Sequence, residues 1–141
     1  MTYDDAEWHT DSVIDLGLDE SAGAIHIAAF MGWACRRGLV PADDHADAIA
    51  DATSETDRPT GYVATHFVSQ INVNNLTPRG NLFAEQCYDA YLRALPGTEL
   101  MARYDNDYRV PDTWDTVEEI GALLDELYAE WESQGGRLAE R

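Results

Sequence analysis

The densest apolar run lies near the front of the chain. Ala22 to Cys35, AGAIHIAAFMGWAC, carries one polar side chain, His26. Wound as an α-helix, this stretch leaves no stripe for solvent, and a helix apolar all round is buried in protein or in lipid. Its rise of about 21 Å falls short of the ~20 residues a bilayer crossing needs. The pattern therefore predicts a buried central helix over about 21–37 that other segments cover. Asp19 or Ser21 can cap its free N–H groups, and Arg36 and Arg37 suit its negative end. Gly38 supplies the left-handed residue that stops it.

The remaining apolar positions predict helices around this one. Pro41 opens a second helix that runs to about Ala52, and residues 53–60 read as a loop. In 61–73, Val63, Phe67 and Ile71 recur every four residues, which predicts a helix to about Ser69 and then an extended exit. Thr77 and Pro78 form a start signal, cap and first turn, for a helix to about Ala94. Phe83, Cys87, Ala90, Tyr91 and Ala94 share one face of it, and Leu95-Pro96-Gly97 ends it. A short helix fits 100–104. Val117, Ile120, Leu124, Leu127 and Trp131 then recur at helical steps, predicting a last helix over 112–132 that covers the centre together with 77–94. Residues 1–20 read as an irregular docked arm that packs Trp8, Val13, Ile14, Leu16 and Leu18 on the body, and 134–141 as a frayed tail. The expectation is one mainly α domain over 1–141, a bundle of four to six helices.

Charge changes the picture more than composition does. Twenty-seven Asp and Glu face nine basic residues, giving a formal net charge of −18. All nine are Arg. Such a field repels nucleic acid and anionic membrane surfaces and steers basic partners inward. It also fits a plain solubility surface, or a high-salt or high-GC host. The opening residues hold no basic, apolar leader, so a cytoplasmic protein is expected. Cys35 and Cys87 make no disulfide framework and read as core thiols.

Several stretches together resemble a known group. Tyr3-Asp4-Asp5-Ala6-x-Trp8-His9 precedes the central run with His26, Phe30 and Trp33, and Leu76-Thr77-x-x-Gly80-Asn81-x-Phe83-Ala84 follows. They resemble a family of small acidic bacterial proteins of unknown function with a YDDAxWH opening and a HIxxFxxWAxxxGL helix. Pro78-Arg79 stands here where that family has an acidic residue. The resemblance carries no catalytic residues to transfer. It implies an immunity-type role, of the kind encoded in bacterial competition and toxin–antitoxin neighbourhoods.

The candidate chemistry is sparse. His26 on the central helix needs a partner if buried, and Asp4 or Asp5 of the arm is the expected one. The same pair is the one candidate for acid–base catalysis. Trp8 is expected to fill a groove. His9, His26, His45, His66, Cys35 and Cys87 have no zinc spacing, and Asp43-Asp44-His45 would splay over about 200° of a helix, so no metal or other cofactor is expected. There is no GxSxG and no phosphate-cradling glycine loop. The expected contact surface is aromatic and acidic: Tyr104, Asp105, Asp107, Tyr108, Asp112, Trp114, Asp115, Glu118 and Glu119. The first functional expectation is an immunity-type binding protein that occludes a basic toxin or nuclease. The alternatives are a small enzyme using His26 and an acidic, self-associating structural protein.

Overall fold

The structure, a computed structural model, describes residues 1–104 and 108–135. Asp105, Asp107 and the expected tail from Gly136 onward lie outside the described residues. The mainly α, single-domain expectation holds, with more helices than expected. The centre is α2 (Ile25–Arg36), and α1 (Thr10–Asp15) precedes it. Next come α3 (Ala42–Ser54), α4 (Pro59–Phe67) and α5 (Pro78–Ala94). The last two are α6 (Glu99–Tyr104) and α7 (Trp114–Ser133). Two short strands, β1 (Thr2–Asp5) and β2 (Gln70–Asn72), pair antiparallel.

Every residue of α2 from Ile25 to Cys35 is buried. The regular helix begins later than expected. Glu20–Ala24 forms a 3-10 turn, capped by the Asp19 carboxylate, which accepts from the Ser21 N–H at 2.9 Å. At the far end Gly38 takes φ +75°, and the Leu39 N–H returns to the Ala34 carbonyl at 2.9 Å. Only a residue without Cβ adopts that conformation freely. Arg36 and Arg37 do not serve the carbonyls of their own helix. Arg36 donates to the Ala52 carbonyl and pairs with Glu55, while Arg37 pairs with Asp125.

Neighbouring helices cover α2 in two ways. α7 comes close because Gly32 leaves room: a Cβ there would meet the Trp114 ring at 3.1 Å and Val117 at 3.3 Å. α5 instead reaches α2 through large rings. Phe30 lies 5.3 Å from Tyr88, 6.0 Å from Tyr91 and 6.3 Å from Phe83, centroid to centroid. α5 itself forms as its start signal predicts. The Thr77 hydroxyl accepts from the Gly80 N–H at 3.0 Å, and Pro78 stands in the first turn.

The front of the chain is more ordered in form than an irregular arm. β1 pairs Asp4 with Ile71 and Asp5 with Gln70, and a bulge separates Thr2 from Asp4. A 3-10 turn, Ala6–His9, leads into α1. Val13 packs into the core as expected, but Trp8 is 62% exposed, Ile14 53% and Leu16 38%. The expectation that Trp8 fills a groove is therefore overturned. The turn from α4 into β2 puts two successive non-glycine residues, Val68 (φ 55°) and Ser69 (φ 52°), in the left-handed region. For a β-branched residue that is strained backbone. Among the described residues no helix is long and apolar enough to cross a membrane.

Candidate functional site

The bulge in β1 turns Asp4 inward, and three segments meet on its carboxylate. Oδ1 accepts from the Asp5 N–H at 2.8 Å and from His9 Nε2 at 2.8 Å. Oδ2 accepts from His26 Nε2 at 2.9 Å and from the Tyr88 hydroxyl at 2.5 Å. Asp4 and His26 are each 2% exposed. Burial alone would push the Asp4 carboxyl up. The hydrogen bonds from His26, His9 and Tyr88, with the attraction of His26, outweigh it and hold the group well below the usual carboxylate range. Burial and the adjacent Asp4 charge push the Tyr88 hydroxyl far up, so it stays a donor.

An ionised carboxylate only accepts, so both Nε2 atoms carry hydrogen. His9 Nδ1 then meets the Tyr108 hydroxyl at 2.9 Å. The two imidazoles stand edge to face at 4.6 Å. His26 Nδ1 is buried and has no hydrogen-bond partner among the described residues. The backbone of His26 is fixed separately, since the Tyr91 hydroxyl donates to its carbonyl at 2.8 Å. Tyr88 from α5, His9 from the 3-10 turn and His26 from the central helix therefore converge on one buried negative charge of β1.

Of the sequence candidates, Asp4 and His26 do come together, as the arm-to-helix pairing predicted. Asp5 does not join them. Its carboxylate accepts from the Glu7 N–H and from Gln70 Nε2, both at 2.9 Å. The His26–Asp4 pair is sealed from solvent, and both ring nitrogens of His9 are engaged. Acid–base catalysis needs a group that reaches a substrate proton, and this arrangement offers a tie between segments. Other motif residues join other elements: the Tyr3 hydroxyl donates to Asn81 Oδ1 of α5 at 2.8 Å, and Trp33 Nε1 of α2 donates to Asp125 of α7 at 2.9 Å. Of the remaining histidines, His66 pairs with Asp51 at 2.8 Å and His45 lies against the Phe67 ring.

Among the described residues, the expected aromatic and acidic surface on 104–119 is exposed in part, at Tyr104, Asp115, Glu118 and Glu119. Trp114 is 8% exposed, with its indole N–H on the Asp57 carbonyl. Tyr108 is half-buried on His9. Asp112 accepts from Thr60 and pairs with Arg58 at 3.6 Å, and Glu119 is paired with Arg103. Exposed apolar side chains gather instead in the front segment, where Trp8, Ile14 and Leu16 stand among exposed Glu7, Asp11, Asp15 and Asp19. A separate groove of about 440 Å³ is bounded by Asp5, Glu7, Glu20, Arg58, Val68 and Gln70.

Reasoning from sequence missed Tyr88 and the role of Tyr108. Tyr88 is buried on α5 but was not among the residues read as its core face, and nothing local tells that its hydroxyl ends on residue 4. The two cysteines are buried and free, and burial pushes both thiols up to about 11.

A protein-family model described as a domain of unknown function (DUF7832) matches residues 2–119, a span that holds Asp4, His9, His26, Tyr88 and Tyr108. No curated protein and no solved structure matches the chain.

Proposed function

The chain belongs to the DUF7832 family, a domain of unknown function, and from that premise we propose that it is a binding protein for a basic protein partner. The partner class is the immunity type: a basic toxin or nuclease whose active site is covered. The observation that carries the reading is Trp8, 62% exposed on a segment whose other exposed groups include Glu7, Asp11, Asp15, Asp19 and Glu20. No Lys or Arg occurs in the first 35 residues. A large ring at the centre of a carboxylate field couples two effects. The field speeds encounter with a cationic surface, and the ring supplies contact area once water leaves.

Carboxylates on α3 and α7 are exposed as well, so charge alone does not choose a face. The apolar groups do. Trp8, Ile14 and Leu16 fall within nine residues, and the strained Val68, 75% exposed, lines the groove that Glu7 also bounds. Strain of that kind is retained where it serves a site. Three acidic residues, Asp5, Glu7 and Glu20, line the groove with one cation, Arg58. The mechanism is occlusion, with no chemistry at the His26 pair.

The test is affinity capture from the native host with wild type and Trp8→Ala, at low and at high salt. A basic protein held by wild type at low salt, released by salt and lost with Trp8→Ala supports the reading. Equal capture by the two proteins, or no basic partner at low salt, overturns it.

A further inference from the structure

We propose that Asp4, His9 and His26 form a binding site for one divalent transition-metal ion of the zinc class. A carboxylate oxygen of Asp4 and one ring nitrogen from each histidine lie within 4.8 Å of one another. Two imidazoles and a carboxylate are a donor set that suits zinc and its neighbours better than magnesium or calcium. The inference goes beyond partner binding, since none of these three side chains belongs to the exposed Trp8 face.

Two further observations point to a cation here. The first is charge: Asp4 is buried and ionised, and its side-chain partners are two imidazoles and a phenol, with no Arg among them. A buried charge is ordinarily paired or bound to metal. The second is the support behind His9, whose second nitrogen is held by the Tyr108 hydroxyl at 2.9 Å. Metal-bound histidines are held in this way, their other ring nitrogen fixed by an oxygen acceptor.

Loading balances without an external reagent. In the metal-free protein each Nε2–H donates to Asp4. A histidine that ligates through Nε2 stays neutral by moving that proton to Nδ1, and the ion's two positive charges replace the lost donors at Asp4. For His9 the moved proton points at Tyr108. Access is from the His9 side, where the side chain is 21% exposed against 2% for His26. The three ligands come from β1, the turn that follows it and α2, so the ion would fasten the front segment to the central helix.

The experiment uses the full chain, stripped with a chelator and dialysed against zinc in excess magnesium, which occupies the surface carboxylates. Bound zinc is counted by elemental analysis, and cobalt substitution reports the ligand field. The expected result is one zinc per chain, with a visible cobalt spectrum, and an affinity lower in His9→Gln by about 100-fold or more, beyond the 10–100-fold typical of losing a group that only supports a ligand. His9 is part-exposed, so that variant is expected to keep the wild-type far-UV circular dichroism. Asp4→Asn is the second variant, read the same way if it folds. Zinc that magnesium displaces entirely, or equal affinity in wild type and His9→Gln, overturns the proposal.

Discussion

Asp4→Asn is the sharpest perturbation of the fold. The carboxylate accepts four hydrogen bonds: from the Asp5 N–H, His9, His26 and Tyr88. Asparagine keeps one acceptor oxygen and turns the other side into a donor. With the amide nitrogen toward His26 and Tyr88, the Tyr88 hydroxyl loses its acceptor and His26 must change tautomer, which puts a hydrogen on its unpartnered Nδ1. With the amide reversed, the Asp5 N–H and His9 lose theirs. Either way two donors are left unsatisfied, at about 1–3 kcal/mol each. The sum, about 2–6 kcal/mol, is a large part of the 5–15 kcal/mol that holds a typical domain. Urea unfolding followed by tryptophan fluorescence, with a chelator present throughout, measures it by linear extrapolation. A loss of about 3 kcal/mol is expected, with Tyr88→Phe costing about 1 kcal/mol or more. A loss below about 1 kcal/mol in Asp4→Asn would refute the claim that this carboxylate ties the segments together.

Other outcomes follow from the same structure. Because the folded Asp4 carboxyl sits below its unfolded value, its contribution is present above about pH 4, the unfolded range, and is lost as pH falls further. Acid titration of stability in wild type and Asp4→Asn, again with chelator, shows this as a difference that shrinks below pH ~4. Val68→Asn, which relieves a β-branched side chain from left-handed backbone while giving up little burial, is expected to stabilise by about 0.5–1 kcal/mol; a loss in urea unfolding contradicts it. Phe30→Ala removes a ring that touches Phe83, Tyr88 and Tyr91 and is expected to cost about 3–5 kcal/mol in the same assay. Cys35 and Cys87, buried with raised thiols, should react with a thiol reagent at pH 8 no faster than the protein unfolds, and at once in denaturant.

Much of the scaffold could be read from local pattern. Thr77-Pro78 marks the start of α5 and Gly38 the end of α2, because caps and left-handed stops act over a few residues. The α7 seam was legible too, and it holds the reason Trp114 is buried. Trp114 stands three residues before Val117, one turn earlier on the same face, so the periodicity already included it. Treating its neighbours Asp112 and Asp115 as a sign of exposure outweighed that signal wrongly. Trp8 failed in the opposite sense. A large ring near a terminus suggests docking, but the segment has no apolar period to say which side faces in, and its pairing to β2 depends on a strand 65 residues away. The Asp4 site was half legible. The need of His26 for an acidic partner follows from burial alone, whereas the convergence of residues 4, 9, 26 and 88 is a property of the assembled helices.

On the proposed reading, the front segment, with its exposed Trp8, engages a cationic protein. The direct test is the affinity of the captured partner for three chains: wild type, Trp8→Ala, and an α7 variant carrying Glu118→Gln and Glu119→Gln. Trp8→Ala should weaken binding by about 30-fold or more, equivalent to about 2 kcal/mol, while the α7 variant stays within a few-fold of wild type. The reverse order, with α7 decisive and Trp8 silent, would contradict the claim.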